Sequence, residues 1–384
     1  MEKQHSNIRG FHVGPRYVPV RCLGNGTFGL VYNCTDTTTN TQVAIKQVRF
    51  VTQQERNYRL LLREILILQH LHGYPNVLRL VDVFSDSTME TPDGGDTFYL
   101  VTELFDTDLQ RVNDSQVLSE EHVRWILFQI LHAVQCCHKA GILHRDIKPA
   151  NILMNENCEV RLCDFGLARP SRTAQGDPPS STLSAPIATR MEDALSGMTN
   201  YVVSRWYRAP ELLMEETKYD TGIDVWSVGC ILGELLKRSA LFVGHDHIDQ
   251  LTCILSLVGS PTAEDLSTMG SLQAQEFVAQ LDRHETSLTT WCSHFPRHTN
   301  PLVIDLLMKM LSFSPRNRID IEGCFNHPWF RPYVLLRKWE VPPPFELGFD
   351  IDQLTLAETK EKINAILLKR GRGGMSDAPN PPHV

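Results

Sequence analysis

His144-Arg145-Asp146-Ile147-Lys148-Pro149-Ala150-Asn151, followed by the apolar Ile152-Leu153-Met154 and then by Cys163-Asp164-Phe165-Gly166, is the stretch on which the reading of this chain turns. A tight loop brings Asp146 and Asn151 onto one side, and a short hairpin returns Asp164 to the same place. The set is two carboxylates, a carboxamide and an ammonium. Phosphoryl transfer needs such a set: one carboxylate orients the attacking hydroxyl, and oxygen ligands hold magnesium against nucleotide phosphates. Asp146 fits the first role, Lys148 steadies the moving phosphate, and Asn151 and Asp164 fit the second. A lone Arg-Asp pair would read as a solvated surface contact, but the full string with Asp-Phe-Gly behind it does not.

A second stretch supplies the nucleotide end. Leu23-Gly24-Asn25-Gly26-Thr27-Phe28-Gly29-Leu30-Val31 fits G-x-G-x-x-G-x-V. The same letters mark dinucleotide sites, but there the glycines lead into a helix. Here they lie inside residues 17–50, where apolar and polar positions alternate as in a hairpin of strands. Without side chains, the backbone N–H groups can approach phosphates closely. Val43-Ala44-Ile45-Lys46 follows and brings a cation over an apolar pocket. From about Gln53 to His72, Leu61, Leu62, Ile65, Leu68 and Leu71 recur at helical spacing, and Glu64 on that helix can fix Lys46 through an ion pair. The joint pattern favours ATP, with Mg2+ as the cation.

These motifs resemble the catalytic core of a eukaryotic protein kinase. The fold expected is α+β and two-lobed: a small β-rich lobe at about 17–105 and a larger helical lobe at about 106–333. Residues 97–102 read as a strand, and Glu120 to Ala140 as a long buried helix. In that family the link Thr102-Glu103-Leu104-Phe105 offers backbone groups to adenine, and Thr102 guards the back of the pocket. Asp108 matches a position that contacts ribose, with a helix N-cap as an equal alternative.

The resemblance sharpens at Met198-Thr199-Asn200-Tyr201-Val202-Val203-Ser204-Arg205-Trp206-Tyr207-Arg208-Ala209-Pro210-Glu211. Thr-x-Tyr before Arg-Trp-Tyr-Arg-Ala-Pro-Glu is the mark of the mitogen-activated protein kinases. The resemblance implies dual phosphorylation of Thr199 and Tyr201, by an upstream dual-specificity kinase or by the protein itself, with phosphatases reversing it. Each phosphate adds nearly two negative charges that arginines must meet. Family matches place Arg63, Arg145 and Arg169 around Thr199, and Arg205 and Arg208 around Tyr201. Ser204, where Thr is more usual, keeps a hydroxyl able to bridge Asp146 and Lys148. Glu211 and Arg318 match a buried ion pair, and Asp224 matches the start of a helix that anchors the catalytic loop. Substrates are expected to be proteins phosphorylated at Ser or Thr before Pro, in intracellular signalling.

Three features depart from the family pattern. Asn200 replaces the usual Glu, Asp or Gly, a form similar to that of fungal kinases acting in sporulation. Residues 170–190, rich in Pro, Ser and Thr, read as a flexible insert. Val334-Leu335-Leu336-Arg337-Lys338-Trp339 stands where an acidic docking pair is usual, which argues against recruitment of basic docking peptides.

Residues 1–16 read as an N-terminal extension, 334–370 as an extension packing back on the kinase, and 371–384 as a disordered tail. The net charge of −8 disfavours a nucleic-acid or anionic-membrane partner. No apolar run suggests a signal peptide or membrane span, and ten scattered cysteines suit reduced thiols. A monomer in the cytoplasm and nucleus is expected. Two rivals are a pseudokinase scaffold, which loss of Lys46, Asp146, Asn151 or Asp164 would announce, and a cyclin-dependent type of kinase, against which Tyr201 speaks.

Overall fold

The computed structural model describes residues 11, 13–26, 29–50, 54–85, 95–171, 205–214, 219–336 and 341–371. The chain divides into two compact units, each with its own core. The first takes in residues 1–73, 77–106 and 346–384, and the second 74–76 and 107–345.

The first unit is built on a five-stranded antiparallel sheet of order β1-β2-β3-β5-β4. Its strands are β1 (Tyr17–Gly26), β2 (Gly29–Asp36), β3 (Thr41–Phe50), β4 (Leu80–Ser85) and β5 (Asp96–Glu103). Strand β3 is central, with Lys46 opposite Val31 on one side and Leu100 on the other. The N-terminal segment joins this core. Phe11 stacks on Tyr32 with ring centroids 3.8 Å apart and meets Tyr99 edge-on, and Val13 is buried beside it. Helix α1 (Glu55–His70) crosses the unit with Leu61, Leu62, Ile65 and Leu68 buried.

Residues 346–371 complete the same unit. Their final helix, Leu356–Gly371, packs on α1 and β4. It starts in a reciprocal cap: the Thr355 amide donates to the Glu358 carboxylate at 2.8 Å, and the Glu358 amide donates to Thr355 Oγ1 at 3.3 Å.

The second unit is helical. Helix α2 (Leu109–Ser115) is followed by α3 (Glu120–Lys139), which Ser119 caps by accepting from the His122 amide at 3.2 Å. Isoleucines 126 and 130 and leucines 127 and 131 of α3 are fully buried, and the helix packs on the Gly222–Lys237 helix. Two small sheets sit in this unit. Strands β6 (Thr107–Asp108), β8 (Ile152–Met154) and β9 (Val160–Leu162) form one, and β7 (Ile142–Leu143) with β10 (Arg169–Pro170) forms the other. Among the described residues, no helix is long and apolar enough to cross a membrane.

Candidate active site

In the second unit the catalytic stretch runs between β7 and β8. Strand β8 pairs with β9 so that Ile152 faces Leu162. The pairing sets Cys163 beside Asn151: the Cys163 amide donates to the Asn151 carbonyl at 3.0 Å. Asp164 is the next residue, so Asn151 and Asp164 issue from adjacent ends of one hairpin. Asn151 Nδ2 donates to the Asp146 carbonyl at 2.7 Å and to Asp146 Oδ2 at 3.1 Å. Lys148 Nζ reaches the same Oδ2 at 2.8 Å. Two donors on one oxygen set the plane of the Asp146 carboxylate. With its nitrogen committed to Asp146, the Asn151 side chain is left to act through its oxygen.

The stretch is mounted on a buried carboxylate. Asp224, fully buried at the start of the Gly222–Lys237 helix, accepts from the amides of His144 and Arg145 at 2.9 Å each, and its Oδ2 lies 2.9 Å from His138 Nε2. Burial alone would push this carboxyl up, but the His138 hydrogen bond and the charges and amides around it hold it below the ordinary carboxylate range. The backbone is turned sharply on either side of the site. Arg145 has φ +70° and Asp164 φ +65°, left-handed conformations uncommon for residues with a Cβ. His144 meets Phe165 edge-on at 4.9 Å and its Nε2 lies 3.0 Å from the Cys163 carbonyl, which ties the two halves of the motif together.

The arginines fall into distinct settings. Arg145 and Arg208 line one small cleft with Asp146, Ile147, Tyr207 and Ser227. Arg169 lies opposite Leu143 in the β10–β7 pair. Arg205 donates to the His245 carbonyl at 2.8 Å. Arg318 grips Glu211 with both terminal nitrogens, at 2.6 and 2.9 Å, both side chains being almost wholly buried. Thr199, Tyr201 and Ser204 lie outside the described residues, as does the 170–190 insert from residue 172 onward.

In the first unit, Lys46 Nζ meets both Glu64 oxygens, at 2.9 and 3.0 Å. Ala44 lies opposite Thr102 across β3 and β5. Asn25 lies opposite Leu30, Gly26 opposite Gly29 and Gly24 opposite Val31, so Leu23 to Val31 is a hairpin; its tip, Thr27 and Phe28, lies outside the described residues. A Cβ at Gly29 would come within 1.8 Å of the Gln47 carbonyl oxygen, so that position admits no side chain. Glu103 accepts from the Arg79 amide at 2.8 Å, and Phe105 is half-buried. Arg63, on α1 next to Glu64, pairs with Asp352 at 2.8 Å. Asp108, read as a ribose contact or a helix cap, is observed as the cap: it accepts from the Arg111 amide at 2.9 Å.

Sequence spacing did not single out the engagement of Arg63 by Asp352. No periodicity links residues 289 positions apart. The region beyond His327-Pro328-Trp329-Phe330 is a 3-10 stretch, Pro328–Leu336, with Val334, Leu335 and Leu336 exposed; residues 337–340 lie outside the described residues.

Residues 17–330 match the protein kinase domain family. Mitogen-activated protein kinase 1 of rice (Oryza sativa subsp. japonica) is 38% identical over 93% of this chain and 83% of its own length. The mitogen-activated protein kinase homolog NTF6 of Nicotiana tabacum is 37% identical over 92% of this chain and 88% of its own. The mitogen-activated protein kinase mpk-1 of Caenorhabditis elegans is 37% identical over 94% and 76%. With its β-sheet unit, its helical unit and these relatives along most of its length, the chain belongs to the protein kinase family and, within it, to the mitogen-activated protein kinases: it is a protein serine/threonine kinase that uses ATP and a divalent metal.

Proposed function

We propose that this kinase transfers the ATP γ-phosphate to Ser or Thr before Pro and is switched on by phosphorylation of Thr199 and Tyr201. The observation that carries the transfer step is the fixed Asp146 carboxylate, held by Lys148 and Asn151 beside the Asp164 turn. Asp146 orients the substrate hydroxyl and accepts its proton as the O–P bond forms. Lys148 stays near the incoming oxygen and offsets charge on the moving phosphoryl group, with the Ser204 hydroxyl assisting. Lys46, oriented by Glu64, meets the nucleotide phosphates, and the Leu23–Val31 hairpin covers them. The Thr102–Phe105 link receives adenine.

The residues present fit magnesium. Among the described residues, no three His, Cys, Asp or Glu side chains gather into a metal cage. An Asp–Asn oxygen pair suits a hard cation that brings phosphate and water oxygens with it, as magnesium does. Asn151 and Asp164 would hold it, and it would neutralise charge on the phosphates.

Arg145, Arg169 and Arg63 are assigned to a phosphate on Thr199, and Arg205 and Arg208 to one on Tyr201. That Arg145 and Arg208 line one small cleft supports an anion-binding role for the pair, since gathered cations favour an anion; the division of the arginines between the two phosphates rests on the family resemblance. The kinase acts as a monomer in the cytoplasm and nucleus, downstream of a dual-specificity kinase or its own autophosphorylation, with phosphatases opposing it. Mass spectrometry of the protein from its own cell should find both phosphosites. Thr199→Ala and Tyr201→Phe should each lower activity by about tenfold or more, and Ser-Pro peptides should outrun Ser-Ala ones. An unphosphorylated double variant as active as the phosphorylated wild type would overturn the switch.

A further inference from the structure

Arg145 immediately precedes Asp146, and both ends of it are held from one corner of the helical unit. Its amide donates to Asp224 Oδ1 at 2.9 Å, with the backbone at φ +70°. Its guanidinium sits over the Tyr219 ring, 5.3 Å from the centroid. Tyr219 and Asp224 flank a tight turn at the start of the Gly222–Lys237 helix. In that turn the Gly222 amide donates to Asp220 Oδ1 at 2.8 Å, and the Ile223 amide donates to the Asp220 carbonyl at 3.4 Å. The ring and the carboxylate are therefore set relative to one another by local hydrogen bonds.

A guanidinium is planar, with N–H donors along its edge and a flat face that stacks on aromatic rings. A cation within about 6 Å of a ring centroid is drawn to the negative face of the ring. The stack fixes the tilt of the Arg145 plane, and with it the direction of the edge donors. Nη1 donates to the Leu167 carbonyl at 3.4 Å, a long bond beside the short, charge-assisted ones that a phosphate makes. Arg145 also shares its cleft with Arg208, so like charge pushes the side chain toward solvent. The ring opposes that push.

We propose that Tyr219 is a positioning residue for the phosphate switch: its ring holds the Arg145 guanidinium by the face and presents the edge to a phosphate dianion on Thr199. The inference rests on the assignment of Arg145 to that phosphate. Without the ring, each capture of the phosphate has to order a long side chain first, so the phosphate is released more often.

The test uses the full chain phosphorylated at Thr199 and Tyr201, without ATP, and follows loss of each phosphate by mass spectrometry. A held phosphate is shielded, so its removal by a Ser/Thr phosphatase follows the released fraction. Tyr219→Leu should speed removal from Thr199 about fivefold, and Tyr219→Phe, which keeps the ring, should stay within about twofold of wild type. Removal from Tyr201 by a tyrosine phosphatase should change by less than about twofold, and a parallel rise there would mark a loosened fold and overturn the proposal. Arg145→Met should speed removal from Thr199 more than Tyr219→Leu does, and adding Tyr219→Leu to it should change the rate by less than about twofold. If Arg145→Met leaves the rate unchanged, the assignment of Arg145 to the phosphate fails, and this inference fails with it. If Arg145→Met speeds removal while Tyr219→Leu does not, or if Tyr219→Leu acts equally with and without Arg145, the inference alone fails. Should Tyr219→Leu not fold, Tyr219→Met, which also lacks a ring, is read in its place against the same outcomes.

Discussion

Asp224 in the helical unit and Arg63 in the sheet unit are both buried charges that hold catalytic machinery, and they are held in opposite ways. Asp224 is wholly buried and takes two backbone amides and His138, all from within α3 and the catalytic stretch. Arg63 is nearly as buried, but its carboxylate partner is 44% exposed and comes from 289 residues away. Several fixed donors on one buried acceptor make a mount with a single setting. A long-range pair with a solvent-facing end is a contact that can be released. A protein kinase has use for both, since the carboxylate that orients a hydroxyl gains from rigidity, while the helix that aligns the nucleotide can be regulated by moving.

The comparison can be broken most decisively at Asp146. If its mount is independent of its charge, Asp146→Asn should leave the melting temperature unchanged while kcat falls about 10³-fold, equivalent to about 4 kcal/mol of barrier. A variant keeping more than a tenth of the wild-type rate would remove Asp146 from the chemistry.

Asp224→Ala goes at the mount itself. Two amides and His138 lose a buried acceptor together, and urea titration should show a loss of about 3 kcal/mol. A loss below about 1 kcal/mol would mean that the catalytic stretch is held elsewhere.

Acid sharpens the contrast. His132, on α3, is buried with its Nδ1 2.7 Å from Asn76 Oδ1, and burial pushes its pKa down to about 4. The unfolded chain therefore binds this proton at a higher pH than the folded one. The stabilisation is complete above the unfolded value, near 6.5, and is lost as the pH falls toward 4. Between pH 7 and 5 it should amount to about 2 kcal/mol. Denaturation of wild type and His132→Gln at the two pH values measures it, and an equal acid penalty in both proteins would contradict it.

The smallest effect belongs to Asp108. As a helix cap, its replacement by Ala should cost about 1 kcal/mol and leave KM for ATP alone. A raised KM with unchanged stability would instead give it the ribose contact that the family resemblance suggests.

Elements with a local signal were legible in the sequence. Helix α3 runs Glu120–Lys139 where the periodicity predicts Glu120 to Ala140, and α1 runs Glu55–His70 within the predicted Gln53 to His72. Each has an apolar stripe long enough to count. Strand β4, Leu80–Ser85, went unread: a register shift between Leu80 and Asp82 in its pairing with β5 breaks the alternation that marks a strand. The site was legible as a set of residue types because motif spacing within the Asp146–Asp164 hairpin is itself the geometry. What holds that set was less so. The hydrogen bond of His138 to Asp224 and the hold of Asp352 and Leu354 on α1 join positions with no shared periodicity, and only the folded chain brings them together. The left-handed turns at Arg145 and Asp164 likewise follow from contacts around them, since neither residue favours that conformation by itself.

The stacking of Phe11 on Tyr32 bears on where this chain can be cut. The segment that matches the kinase family, residues 17–330, leaves out both Phe11 with Val13 and the whole return from 346 to 371. A fragment made to those limits would open the ring faces of Tyr32 and Tyr99 to water and take the Leu354 carbonyl from Arg59 and the Asp352 carboxylate from Arg63. The smallest unit that can be isolated with its nucleotide end intact is therefore longer at both ends than the catalytic sequence, and crystallisation or screening fragments should start before Phe11 and stop after Gly371.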